Sequence, residues 1–182
     1  WLALGTLRFV RRRLAMSGQR FTAEMLGMSF AHFGLAVFFF GVLLTEATSV
    51  QKDVAVAQGQ QVEAGGYTFR FDGVQRATGP NYLSDRGSVS VFSGDRQIAN
   101  LHPEKRQYAA GGQIMTETAI DPGLSRDLYV ALGEPIDTHG GWALRVYVKP
   151  WVRCIWLGAL LMALGGFTTA FDRRFRRNVE VV

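Results

Sequence analysis

The chain of 182 residues is long enough for about one domain. Its near-zero mean hydropathy averages two unlike materials, long apolar runs and a polar, glycine-rich middle. The net charge of +5 is not spread along a face, as a nucleic-acid protein would need. Arg8, Arg11, Arg12, Arg13 and Arg20 lie near the start and Arg173, Arg174, Arg176 and Arg177 near the end, while residues 46–150 hold 10 Lys/Arg against 12 Asp/Glu. The one cysteine, Cys154, excludes an intrachain disulfide and a cysteine metal cluster and reads as an inert buried thiol.

In chain order, residues 1–20 read as the end of a preceding helix, with residues 1–10 its tail, followed by a cytoplasmic basic loop and a Ser17-Gly18-Gln19 connector. The abrupt apolar start, with no small-residue cleavage pattern behind it, predicts the C-terminal fragment of a larger membrane protein rather than a signal peptide. Residues 21–45 predict a transmembrane helix with Thr22 as a candidate N-cap. Its apolar core, residues 25–44 (MLGMSFAHFGLAVFFFGVLL), is about 20 residues long, which matches the ~30 Å hydrocarbon layer. Gly27, Ala31, Gly34 and Gly41 would let another helix come close.

His32 is the one strongly polar side chain in that core, and an ionisable group at membrane depth is a functional hypothesis by default. Met28, Ser29, Leu35 and Ala36 flank it on one helical face, and the small Ser29 and Ala36 leave room for a flat ligand beside the imidazole. Three readings compete: a helix–helix hydrogen bond, a proton relay that lacks an acidic partner in the span, and metal or heme-iron ligation through neutral imidazole. Spacing alone leaves all three open.

Residues 46–150 change to period two. Tyr67, Phe69 and Phe71 alternate with Thr68, Arg70 and Asp72; Val89 and Val91 alternate with Ser88 and Ser90. Trp142, Leu144, Val146 and Val148 alternate with Ala143, Arg145, Tyr147 and Lys149. With residues 98–101 and 128–132, these are short strands between turns at Gly65-Gly66, Gly73, Gly79-Pro80-Asn81, Ser93-Gly94-Asp95, Asp121-Pro122-Gly123 and Gly140-Gly141. The predicted fold is a small antiparallel all-β periplasmic domain, a barrel or sandwich of roughly six to eight strands, flanked by transmembrane α-helices.

Residues 151–171 predict the second span, with Trp151 and Trp156 at the outer interface and Arg153 snorkelling. Residues 172–182 form a basic tail. Because positive residues mark the cytoplasmic side, both outer flanks are inside and the β domain is periplasmic. His102, before Pro103, and His139 read as solvated loop residues, since no Cys or second His is spaced for a metal. The Met115-Thr116-Glu117 and Ser125-Arg126-Asp127 clusters read as structural Arg–carboxylate pairs, and the glycine-rich pieces open no helix for a nucleotide.

Ordered blocks also carry a resemblance: AHFGLAV (31–37), PEKRQY (103–108), MTETAID (115–121), RDLYVALGEP (126–135), KPWVRCIWLGALLMALGG (149–166) and DRRFRR (172–177). They resemble the C-terminal part of the CcmF family, the heme lyase subunit of bacterial system I cytochrome c maturation. The family includes a relative dedicated to nitrite-reductase heme attachment. Cys154 stands where the family often has tryptophan.

The resemblance implies a heme b held in the inner (cytoplasmic) membrane between two transmembrane histidines. His32 is the one that falls in this chain as an axial ligand, with Ser29 and Ala36 as candidate lining residues. It places the other axial histidine and the tryptophan-rich heme-handling motif upstream, so no catalytic residue is expected in this chain and the fragment is not active alone. It implies as partners a heme chaperone, other cytochrome c maturation subunits, apocytochrome c and the lipid bilayer, with no nucleic acid. The competing class is a non-catalytic, membrane-anchored periplasmic interaction module whose histidine only packs helices. A transporter is disfavoured by the absence of paired discontinuous helices.

Overall fold

The structure is a computed structural model that describes residues 1–15, 22–136 and 140–171. The Ser17-Gly18-Gln19 connector, His139 and the basic tail lie outside the described residues. The chain divides into a helical unit, Trp1–Ala47 with Trp151–Val182, and a β unit, Thr48–Pro150.

The helical unit holds α1 (Leu2–Ala15), α2 (Ala23–Thr48) and α3 (Val152–Ala170). Helix α1 runs through the basic cluster to Ala15 instead of ending near residue 10, because arginine is a good helix former. Thr22 caps α2: its hydroxyl accepts from Met25 N at 3.3 Å and its carbonyl from Leu26 N at 3.0 Å. Helix α2 continues to Thr48, a length of ~39 Å at ~1.5 Å per residue, and α3 follows Trp151, which takes φ 66° as the strand turns into the helix. Both are long and apolar enough to cross a bilayer.

Helices α2 and α3 meet along glycine. Gly27, Gly34 and Gly41 repeat every seven residues and are the buried residues of α2, as Gly158 and Gly165 are of α3. A Cβ at Gly34 would stand 2.7 Å from Met162 N, and one at Gly158 would stand 2.4 Å from Phe38 N. Only a hydrogen fits there, so the two backbones touch directly, as small-residue seams between membrane helices allow.

Among the described residues the β unit is a sandwich of ten antiparallel strands, more than the six to eight expected. Sheet one has the order β1 (Val50–Val56), β10 (Trp142–Pro150), β9 (Arg126–Pro135), β8 (Ala119–Pro122). Sheet two has the order β2 (Gln61–Ala64), β3 (Tyr67–Thr78), β4 (Tyr82–Ser93), β6 (Glu104–Tyr108), β7 (Ile114–Glu117), with β5 (Arg96–Leu101) also on β4. Phe69, Phe71, Val89, Val91, Leu128, Val130, Leu132, Leu144 and Val146 are almost wholly buried between the sheets, which is why the period-two apolar runs were the legible ones. Gly73 is not a turn: it lies inside β3, with φ 121°, where the register with β4 slips between Phe71 and Gly73, a glycine bulge. Asp121 and Pro122 end β8 and leave the turn to Gly123.

Ion pairs dress the outer surface. Arg126 pairs with Asp121 at 2.7 Å, while Asp127 accepts from Gly123 N, so the partner within the 121–127 stretch is Asp121 and not the adjacent carboxylate. Glu117 pairs with Arg106 at 3.8 Å. The Asp53 carboxyl is held below the ordinary aspartate range by its hydrogen bond from Arg145. Burial pushes Asp72 up, but the Ser90 hydroxyl at 2.6 Å and the Arg70 guanidinium at 2.7 Å outweigh it and leave the carboxyl lowered.

Candidate functional site

His32 stands on the tenth position of α2, about 14 Å along the axis from Ala23. Its Nδ1 lies 2.8 Å from the carbonyl of Met28, one turn back. A carbonyl only accepts, so Nδ1 carries the proton and donates, and Nε2 is the ring nitrogen left without a hydrogen bond among the described residues. This hydrogen bond fixes both tautomer and ring orientation in the way that ligating histidines are usually held. The imidazole is exposed in this chain, so it is not consumed by packing against α3.

The exposed ring borders an apolar cleft of about 630 Å³ between α1 and α2, lined by Trp1, Leu2, Gly5, Thr6 and Phe9 with Met28. Leu2, Gly5, Thr6 and Phe9 follow i, i+3, i+4, i+7 and share one face of α1. A Cβ at Gly5 would meet nothing within 4 Å, so the glycine widens open space rather than admitting a neighbour. The Thr6 hydroxyl donates to Leu2 O at 2.9 Å, leaving the His32 imidazole and the Met28 thioether as the donor groups among the cleft's lining residues. One nitrogen lone pair over a roomy apolar wall fits one axial side of a large planar metal macrocycle. Among the described residues no three His, Cys, Asp or Glu side chains gather to hold a bare metal ion.

The other predicted lining residues fall elsewhere. Ser29 opens onto a neighbouring groove of about 540 Å³ with Leu4, Leu7, Leu26, Phe30 and Phe33, and its hydroxyl donates to Met25 O at 2.7 Å. Three residues turn a helix by about 300°, so Ser29 is roughly 60° round from His32 and lies across the line of contact with α1. Ala36 is half-buried one turn farther along α2 and lines neither cleft. The α1 wall was missed from the sequence, although the small Gly5 within an apolar Leu2/Thr6/Phe9 stripe was the available signal. His102 sits between β5 and β6, its Nδ1 3.4 Å from Gly87 O.

The β unit decides the family. A model described as the CcmF C-terminal beta-sandwich matches residues 47–150, the strands just described. The chain belongs to the CcmF family. It is 48% identical over 185 residues to the cytochrome c-type biogenesis protein CcmF of Pseudomonas aeruginosa, covering 99% of this chain and 28% of that protein. With CcmF of Escherichia coli K12 the identity is 41% over 180 residues, covering 99% and 28%. With the probable cytochrome c-type biogenesis protein NrfE of Escherichia coli K12 it is 34% over 177 residues, covering 96% and 31%. A solved structure titled Cytochrome c Heme Lyase CcmF shares the fold, with a TM-score of 0.74 at 18% identity over 93% of this chain and 28% of that one. The CcmF-family chain thus spans less than a third of the length of these relatives.

Proposed function

We propose that this CcmF-family chain contributes the β-sandwich and flanking helices to a heme lyase component of cytochrome c maturation, and that His32 is an axial ligand of a membrane-held heme b. The observation that carries the reading is the Nδ1–Met28 hydrogen bond, which leaves Nε2 free above an apolar cleft. The heme would supply an iron centre of adjustable redox state. This chain's part is to present one imidazole, hold its ring, and line the approach with Trp1, Leu2 and Phe9 so that water is excluded. The Gly27/Gly34/Gly41 seam fixes α2 against α3 and so fixes the height and rotation of His32.

The arginine clusters that precede α2 and follow α3 orient both ends to the cytoplasm of the inner membrane and put the β domain in the periplasm. There it meets the heme chaperone, the other maturation subunits and apocytochrome c. Higher identity to the CcmF proteins than to NrfE favours general cytochrome c maturation over a nitrite-reductase specialist. Absorption spectra of the full-length protein, wild type against His32→Ala, test the reading. Sharp reduced-heme bands in the wild type, lost or shifted in the variant, are expected; unchanged bands would return His32 to a packing role.

A further inference from the structure

Beyond its bulge, β3 loses a neighbour. Strand β2 pairs only with Tyr67–Arg70, and the turn before β2 adds Gly59 N to Phe71 O at 2.7 Å and Phe71 N to Gln60 O at 2.9 Å. The Gln58 amide then donates to Asp72 O at 2.8 Å and closes the line. From Gly73 to Thr78 the strand is paired, among the described residues, on its β4 side alone.

The direction of the free groups follows from one bond. Gly79 N donates to Tyr82 O at 2.8 Å, so Gly79 points into the hairpin. Antiparallel alternation then turns Ala77, Gln75 and Gly73 toward β4 and Val74, Arg76 and Thr78 outward. No described backbone group meets the three outward N–H and three outward C=O groups. This is the pattern that an added strand reads.

The charge beside the edge is selective. A groove of about 440 Å³ runs along it, with Arg76, Arg86 and His102 among its lining residues and Asp72 as its one carboxylate. Asp72 is already committed to Arg70 and Ser90. The Arg76 side chain is 92% exposed and 3.6 Å from Asp85, and that of Arg86 is 50% exposed and 3.5 Å from Glu104, so both can re-pair. A protective edge usually carries lysines, proline or a very short run. Here a six-residue stretch, Gly-Val-Gln-Arg-Ala-Thr, carries one charge, which repels basic strands and attracts acidic ones.

We propose that the 73–78 edge of β3 is a docking site for an extended acidic segment of a partner protein, which adds as a strand and sets carboxylates on its two faces, one against Arg76 and one against Arg86. The site goes beyond the His32 reading and does not depend on it. The test uses the full-length membrane protein in detergent and a short labelled peptide of repeating Val-Glu-Glu, which carries carboxylates on both faces, followed by fluorescence anisotropy at low salt. The acidic peptide binds, its Val–Lys counterpart does not, and binding falls by about tenfold or more in Arg76→Pro, which removes the central outward N–H at an edge position where proline is tolerated. The charge variant Arg76→Glu/Arg86→Glu, which leaves the backbone alone, loses binding equally. No binding of the acidic peptide, equal binding of both peptides, or indifference to both variants would overturn the proposal. A dimer that Arg76→Pro dissolves would overturn it too, by assigning the edge to a second copy. The heme absorption of the same samples reports separately on His32: bound peptide without heme bands would sink that reading alone.

Discussion

Gly34→Ala probes the seam on which the position of His32 rests. The new methyl carbon would lie 2.7 Å from Met162 N and 2.8 Å from Gly158 O, both rigid backbone atoms. Ordinary contact needs about 3.5–4.0 Å, so α2 and α3 must part by roughly 1 Å. Overpacking of this kind costs about 1–3 kcal/mol, and with backbone on the far side the upper end applies. Alanine recovers about 1 kcal/mol of helix propensity over glycine, which leaves a net loss of about 2 kcal/mol. Gly166 supplies the control, since a Cβ there meets nothing within 4 Å. Gly166→Ala keeps the propensity gain unopposed, so the two substitutions differ by about 3 kcal/mol and in sign. The assay is SDS titration of the full-length protein in mixed micelles, followed by circular dichroism, with the heme bands recorded alongside. Gly34→Ala should unfold at lower SDS and broaden or weaken the heme bands, and Gly166→Ala should do neither. Equal midpoints for the two variants would refute direct backbone contact along the seam.

Two further outcomes follow. The folded Asp72 carboxyl is lowered, so the stability it contributes is full above the unfolded value of about 4 and is lost as pH falls through the folded one. Asp72→Asn should therefore flatten the fall in melting temperature below about pH 4, with Asp53 left to supply the remainder; an unchanged acid slope would show the pairing of Asp72 with Arg70 and Ser90 to be idle. A topology reporter in the Gly94 turn should read periplasmic and one after Arg177 cytoplasmic, and the reverse result would defeat the positive-inside argument.

The long apolar helices and the inner strands were readable because burial on one or all faces writes a clear period into the sequence. Phe69/Phe71, Val89/Val91 and Leu144/Val146/Val148 all turned inward as their alternation required. The outer strands were not legible. Val50–Val56 carries Gln, Lys and Asp at three successive positions, and Glu104–Tyr108 reads as a charge run, because an edge strand or a solvated face buries little. Gly73 reads equally as turn or bulge until the register of its partner is known. At the candidate site, His32 announced itself by polarity within an apolar run. The wall of its cleft comes from α1, and which side of α2 that helix covers is a tertiary choice. Ser29 and Ala36, neighbours of His32 on a helical wheel, therefore did not turn out to share its cleft, while Gly5 and Phe9 did.

The most direct test of the central claim is chemical rescue at the ligand position. His32→Gly in the full-length protein removes the imidazole and leaves the Met28 carbonyl and the α1 wall in place. Spectra recorded with and without added imidazole then separate ligation from packing. The account predicts altered reduced-heme bands in the variant and their return toward wild type as imidazole is added. Wild-type bands in the variant, or altered bands that imidazole does not move, would contradict it.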